Sequence, residues 1–241
     1  MKAAVPDKEV AEAIKEAGGE AAKLCYQCGL CTGTCPWNLV RSFVPRRMMH
    51  QVQLGLVDFE GEETWLCATC RACLQSCPRG VEIIDIMRAM RSVIVGMSIG
   101  YLPRPLRIAG KNISVTGNPS GEAREKRADW AKGIGVKTFA AGTELLYFSC
   151  CVPAYDPNAK RIARATATVL QKLGTDFGIL GDGESCCGES IRKAGHENLF
   201  QTLAQSNIAV FAENSVKKIL TSSPHCYHAF KNEYPDLGLS L

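Results

Sequence analysis

The sequence predicts an α+β protein of more than one domain, with a helical, cysteine-bearing module followed by a small α/β module on a parallel sheet. Three observations carry this. One cysteine pattern occurs twice near the start, from Cys25 to Pro36 and from Cys67 to Pro78. From Val136 onward, short apolar runs alternate with stretches of helical period. Between the two lies a stretch punctuated by Pro103, Pro105, Pro119 and many glycines.

The elements follow in order. Asp7 to Ala17 alternates charged with small apolar residues, and Val10, Ala13, Ile14 and Ala17 make one helical stripe. Gly18-Gly19 ends it. Pro45 to Leu54 predicts a second helix, with Pro45 suited to its first turn and Gly55 as its stop. Val81 to Met97 predicts a third, with Ile83, Ile84, Met87, Met90, Ile94 and Met97 on one face. Those methionines read as fillers of irregular core gaps rather than as soft ligands. Gly100 to Gly135 shows little period beyond a charged helical run, Ala123 to Lys132, and reads as a connection and docking strap.

Leu145 to Phe148 then predicts a strand and Pro157 to Leu173 a helix. Ile162, Ala163, Thr166, Val169, Leu170 and Leu173 lie on the apolar side of that helix. Thr175 to Leu180 is a second strand, Ile191 to Val216 a helix broken near Gly195, Lys218 to Thr221 a third strand, and His225 to Glu233 a last helix. A β-α-β-α-β order implies a small parallel sheet with helices over it. The expected domains are therefore 1–99, 100–135 as a strap, and 136–241.

The chain has 241 residues, 46% of them hydrophobic, enough for a real core. Met1-Lys-Ala-Ala-Val-Pro leads into a charged helical stretch, not an apolar one, so no export signal is expected. Thirteen cysteines without such a signal argue for metal in a reducing compartment, hence a cytoplasmic chain. The longest apolar run, Ser92 to Leu102, is about half a membrane span. Any membrane association is therefore expected to be peripheral, on the inner face, through a partner subunit. The formal charge of +4 does not read as nucleic-acid affinity. Metal centres held by several thiolates each carry net negative charge and would bring the metal-loaded protein nearer neutral.

Each cysteine pattern reads C-x2-C-x2-C-x3-C-P, the spacing of a bacterial ferredoxin [4Fe–4S] loop. Three thiolates at steps of three wrap one cubane. The fourth points away, and in two-cluster ferredoxins it binds the other cluster. Cys25, Cys28, Cys31 and Cys77 are thus expected on one cluster, and Cys67, Cys70, Cys73 and Cys35 on the other. Structural zinc is the alternative, but it pairs two C-x2-C knuckles around one tetrahedral ion and fits two full repeats poorly.

The other cysteines follow the predicted strands: Cys150 and Cys151 the first, Cys186 and Cys187 the second, Cys226 the third. Parallel strands end on one edge, where open α/β sheets bind ligands. Convergence there points to a further metal site on Cys150, Cys151, Cys186, Cys187 and Cys226. Buried free thiols are the ordinary alternative. Gly183 and Gly188 bracket the central pair and allow close backbone approach to a bulky group.

The order Cys151, Cys186-Cys187-Gly188, Cys226 resembles the CCG motif of the cysteine-rich domain of heterodisulfide reductases. The segment Ser223-Pro-His-Cys-Tyr-His-Ala-Phe-Lys-Asn-Glu-Tyr-Pro235 is similar to its closing element in the D-type subunits. The loop Gly117-Asn-Pro-Ser-Gly-Glu122 resembles the linker of those proteins. With the cluster loops upstream, the chain resembles the D-type heterodisulfide reductase subunits and their relative, the iron–sulfur subunit of sulfate-reducer Dsr membrane complexes. Two departures stand out. Position 229 is Ala where the motif ends in a further Cys, and His228 is nearby as a substitute or as a capping group. The family also carries two CCG modules where one is seen here. Either the chain is a fragment or a partner supplies the second module, since a three-strand sheet leaves an edge to cover.

The resemblance implies an iron–sulfur oxidoreductase subunit. Electrons pass through two [4Fe–4S] clusters to a third on the catalytic cysteines Cys151, Cys186, Cys187 and Cys226, which reduces a disulfide substrate. Expected partners are a membrane cytochrome b or a flavoprotein. Without a Gly-rich dinucleotide fingerprint, neither NAD nor FAD is expected. The second reading is an electron-relay subunit of a flavin-dependent glycolate, lactate or glycerol-3-phosphate dehydrogenase. The third is a zinc-bearing interaction module.

Overall fold

The computed structural model describes residues 5–240, so Met1 to Ala4 of the N-terminal segment lie outside the described residues. Two units divide the chain: one runs to Pro103 and takes in Lys193–His196, and the other holds Arg104–Arg192 and Glu197 onward.

In the first unit, α1 (Lys8–Ile14) starts at Asp7, whose carboxylate accepts from the N–H groups of Glu9 and Val10 at 3.0 and 3.2 Å. Gly18, at φ +105°, breaks the chain away beyond it. Then come α2 (Leu30–Thr34), α3 (Pro45–Leu54), α4 (Glu63–Leu66), α5 (Ala72–Gln75) and α6 (Ile83–Met97). The α3 bounds are those expected, with Pro45 in the first turn and Gly55 left-handed at the end. Ile83, Ile86, Met87, Ala89, Met90 and Val93 of α6 form a core with Ile14, Met48, Met49 and Val52. Met97, expected on the same face, is 62% exposed. It is the last residue of α6, where left-handed Ser98 turns the chain.

Arg91 is the polar exception inside α6. Its guanidinium donates to the carbonyls of Thr64, Cys67 and Lys193 at 2.7 to 3.0 Å and lies 5.4 Å from the centre of the Trp65 ring. A buried cation with so many acceptors is a fixed strut, and one of its acceptors is the carbonyl of Cys67 in the second cluster loop.

The second unit opens with α7 (Arg104–Thr116) and a 3-10 segment, Arg124–Ala131. It continues as β1 (Leu145–Phe148), α8 (Cys151–Tyr155), α9 (Lys160–Lys172), β2 (Phe177–Gly178), α10 (Glu189–Lys193), α11 (Glu197–Glu213), β3 (Ile219–Thr221) and α12 (Pro224–His228). The strands form one parallel sheet in the order β2-β1-β3, with Leu146 opposite Gly178 on one side and Ile219 on the other. Central β1 is buried on both faces, as a continuous apolar run in a parallel sheet should be. The α10–α11 break falls at Gly195, as its sequence suggested.

Two expectations need correction. The stretch 100–135 carries a regular helix, α7, and its 3-10 segment buries Arg127 and Trp130 in the second unit. Pro105 masked the helix, yet it falls in the first turn, where its missing N–H costs nothing. On α9 the expected Ala163 and Leu170 do pack inward, but the other buried residue is Ala167, while Ile162, Val169 and Leu173 are 54%, 55% and 73% exposed. Two alanines bring this helix close to Tyr147 and Phe177 of the sheet, and close approach outweighs side-chain size. Among the described residues, no helix is long and apolar enough to cross a membrane.

Candidate metal centres

The two cysteine loops repeat in backbone as well as in sequence. In the first, Gln27 and Gly29 have positive φ, 67° and 87°; in the second, Thr69 and Arg71 take their places at 53° and 68°. Three of these four are not glycine, so the chain accepts an unfavourable conformation twice at matching positions. Such strain collects where backbone must wrap a bound group, and alternating turns of this kind build anion-binding concavities.

Each loop shares its cavity with the other. Cys25, Cys28, Cys31 and Cys77 line one, together with Tyr26, Arg46 and Arg79. Cys35, Cys67, Cys70 and Cys73 line the other, together with Trp37, Phe43, Arg71 and Met87. Burial holds the Cys31 and Cys67 thiols above their ordinary range. It also pushes Cys73 up to about 11, with the neighbouring Cys67 adding to the effect. Four thiolates in such a space repel one another unless a cation neutralises them. N–H donors already reach the sulfurs, with Val81 N–H 3.4 Å from Cys77 Sγ and the Gln27 amide 3.4 Å from Cys25 Sγ.

In the second unit the three strand ends bring together the remaining five cysteines. Cys150 follows β1 with a positive φ, +69°, and so turns Cys151 into the start of α8. Cys186 and Cys187 end the loop after β2, and Cys226 lies in α12, capped by Ser223. The thiols lie close enough to perturb one another in the sequence Cys151, Cys186, Cys187, Cys226 and Cys150.

Their titration follows from that order. The neighbouring Cys226 thiol holds Cys150 below its ordinary value. Cys151 lies well above its own, because neighbouring Cys186 and then burial favour the thiol. Cys186 is pushed up to about 12: the Cys151 thiol lowers it, but the Cys187 thiol, burial and the Cys187 charge outweigh that. One sulfur of the five is thus favoured as thiolate and the others are not, which is what an uncompensated cluster of thiols does.

The loop that delivers Cys186 and Cys187 is clamped from several sides. Cys186 N–H donates to the Gly117 carbonyl at 2.8 Å. Ser185 N–H donates to Asn207 Oδ1 at 3.0 Å, and the Tyr234 hydroxyl to the Cys187 carbonyl at 3.0 Å. Arg124 reaches the Asp182 carbonyl and Ser185 Oγ, both at 2.9 Å. Gly188 has φ +79°, and a Cβ there would stand 2.8 Å from the Phe200 ring, so only glycine completes Cys-Cys-Gly here.

A cavity of about 330 Å³ opens onto Cys150, Cys151, Cys186 and Cys187. Leu106, Ile113, Ile162 and Ile191 make it largely apolar, and Ser222, Ser223 and His225 supply its polar side. His225 Nδ1 is 2.8 Å from Oε2 of buried Glu189. His228, the nitrogen considered from the sequence, does not line this cavity; it lies 3.8 Å from Glu233 and 3.1 Å from the Asn232 amide.

Sequence reasoning missed Arg127, Glu184, Tyr155 and the His225–Glu189 pair. His225 stood inside the Ser-Pro-His-Cys segment; for Arg127 the only signal was a charged run. Among the described residues, no three His, Cys, Asp or Glu side chains converge on a single-ion site. A polynuclear cluster makes a different demand, one thiolate for each iron corner. The buried Arg127 Nη2 and Tyr155 hydroxyl have no well-formed hydrogen bond, although Tyr155 feels the Arg127 charge. The Arg127 guanidinium, with Nη1 3.5 Å from Cys151 Sγ, fits an acceptor-rich iron–sulfur group better than thiols alone.

The fold and these cysteines define a class: one chain that joins a 4Fe-4S dicluster domain, matched over residues 24–82, to a CCG cysteine-rich domain, matched over residues 145–231. Within it, the chain is similar in sequence to heterodisulfide reductase iron–sulfur subunits, among others. It is 38% identical over 117 residues to the C-type iron–sulfur subunit of CoB–CoM heterodisulfide reductase from Methanopyrus kandleri, covering 46% of this chain and 58% of the relative. It is 29% identical over 165 residues to the D-type subunit of the dihydromethanophenazine:CoB–CoM heterodisulfide reductase of Methanosarcina mazei, covering 67% and 39%. Over 192 residues it is 40% identical to a protein of Syntrophomonas wolfei named EtfAB:quinone oxidoreductase, covering 76% of this chain and 27% of that one. The chain thus spans about a quarter of that relative's length.

Proposed function

We propose that the chain is an electron-transfer component of a larger redox assembly. Cys25, Cys28, Cys31 and Cys77 hold one [4Fe–4S] cluster, and Cys35, Cys67, Cys70 and Cys73 a second. A third iron–sulfur cluster is held by Cys151, Cys186, Cys187 and Cys226, with Cys150 as a fifth thiolate or close neighbour. The observation that supports this best is the make-up of the two cavities, each lined by three cysteines of one loop and the fourth of the other. Each cluster supplies one-electron storage. The chain's own residues position the thiolates, keep their surroundings largely apolar and, at Cys67, brace the loop through Arg91.

Anaerobically purified protein is expected to contain about twelve irons and as much acid-labile sulfide, on the composition of three four-iron clusters. Zinc without sulfide would select the interaction-module reading instead. Replacing Cys35 by Ala is expected to damage the cluster of the second loop, and Cys77→Ala that of the first. Paramagnetic resonance with one loop already disabled separates the two signals. An intact second-loop cubane in Cys35→Ala would mean that each loop is self-contained.

The terminal chemistry we propose is disulfide reduction at the CCG cysteines, supported by the names of the heterodisulfide reductase relatives and by the cavity that opens there. A disulfide takes two electrons and each cluster delivers one, so stored electrons are needed. The relay reading has its own support in the relative named for EtfAB and a quinone, and in the apolar lining of the cavity. A flavoprotein that co-purifies with the chain favours the relay. A membrane cytochrome b or a small thiol carrier favours disulfide chemistry.

A further inference from the structure

We propose that Arg127 sets the reduction potential of the CCG centre by holding a fixed, buried positive charge against the Cys151 sulfur. This rests on the reading that the five cysteines hold a cluster. Arg127 is 1% exposed, and its Nη1 approaches Cys151 Sγ at 3.5 Å. Its Nε donates to Oε2 of Glu184, itself 2% exposed, at 3.1 Å, and its guanidinium carbon lies 5.3 Å from the centre of the Phe148 ring. The side chain is thereby held in one pose with its charge toward the cysteines, and a guanidinium keeps that charge at any working pH.

One-electron reduction adds a negative charge to the cluster and its thiolates. No bond breaks, and the electron comes from whatever reductant is supplied. A cation in a low-dielectric site stabilises the reduced state more than the oxidised one, so it raises the potential. Glu184 works against it from the far side of the guanidinium. The pair is a dipole with its positive end toward Cys151, placed in the position from which groups around a metal centre tune it. The residue that does this comes from the 124–131 segment, not from the cysteine loops. A residue that merely tied this segment to the 181–188 loop would have no preferred sign of effect on the potential.

The test is a dithionite titration of the full chain followed by paramagnetic resonance, with iron and sulfide counted for each variant. The two cubanes of the first unit serve as internal reference. In Arg127→Met the reduced-to-oxidised ratio of the third cluster at the wild-type midpoint is expected to fall about tenfold, about 59 mV downward for one electron. Glu184→Gln is expected to shift it upward, and Arg127→Lys less than Arg127→Met. Should Arg127→Met fail to assemble the cluster, Arg127→Lys and Glu184→Gln decide. A Glu184→Gln variant that moves upward supports the proposal. One that stays at the wild-type potential or moves downward overturns it, as does an Arg127→Met variant with full iron and an unchanged potential. A wild-type chain with iron for two cubanes alone overturns the proposed function instead.

Discussion

Replacing Cys186 and Cys187 together by serine is expected to remove about four irons per chain and leave the two cubanes of the first unit in place, on the cluster types assigned above. The pair sits in the middle of the thiol series, with Cys151 on one side and Cys226 on the other. Serine keeps nearly the same volume, and the clamps from Asn207 and Arg124 reach Ser185 while Tyr234 reaches the residue-187 carbonyl, so none depends on the replaced sulfurs. It is a poor replacement for a soft thiolate on iron. The third cluster should therefore be lost without loss of fold. Iron and sulfide both fall by about a third, and the cubane resonance signals keep their shape. A double variant with wild-type iron would mean that this site holds no cluster, and disulfide chemistry would lose its main support.

How much of this was legible follows the range of the interactions involved. The cluster loops are local patterns, and their spacing could be read directly, including which sulfurs share a cavity. The strands were legible because β1 is a four-residue apolar run, though β2 keeps only Phe177 and Gly178 of the six residues expected. Arg127 was not legible, because its partner Glu184 stands 57 residues away and only the fold brings them together. The face of α9 was read only in part: Ala163 and Leu170 do pack in the core, but hydrophobic period also favoured Ile162 and Val169, where packing against the sheet selects the small Ala167. His225 and His228 are three residues apart on one short helix, and only its placement beside Glu189 separates their roles.

Removing iron by chelation or oxidation is expected to unfold residues 20–95 first, while the 136–241 module keeps its secondary structure. The difference lies in what holds each unit. Around the cluster loops the helices are short, α2 and α5 having five and four residues, too short to persist alone. Six of the eight loop cysteines pack against the first core, one of them fully inside it, so loss of metal exposes that core to thiolate repulsion and solvent. Left-handed Gln27, Thr69 and Arg71 would then have no bound group to offset their strain. The second unit has a large aromatic core in which Cys187 and Cys226 are two of many members. Phe148, Phe211, Phe230 and Tyr234 meet edge to face at 4.9 to 6.3 Å. Each such contact contributes about 0.5–1.5 kcal/mol beyond burial. Hydrogen exchange on apo protein reads this directly. Amides of α3 and α6 should exchange early and those of β1 and α11 late; equal loss of protection in both units would refute the coupling of metal to folding in the first.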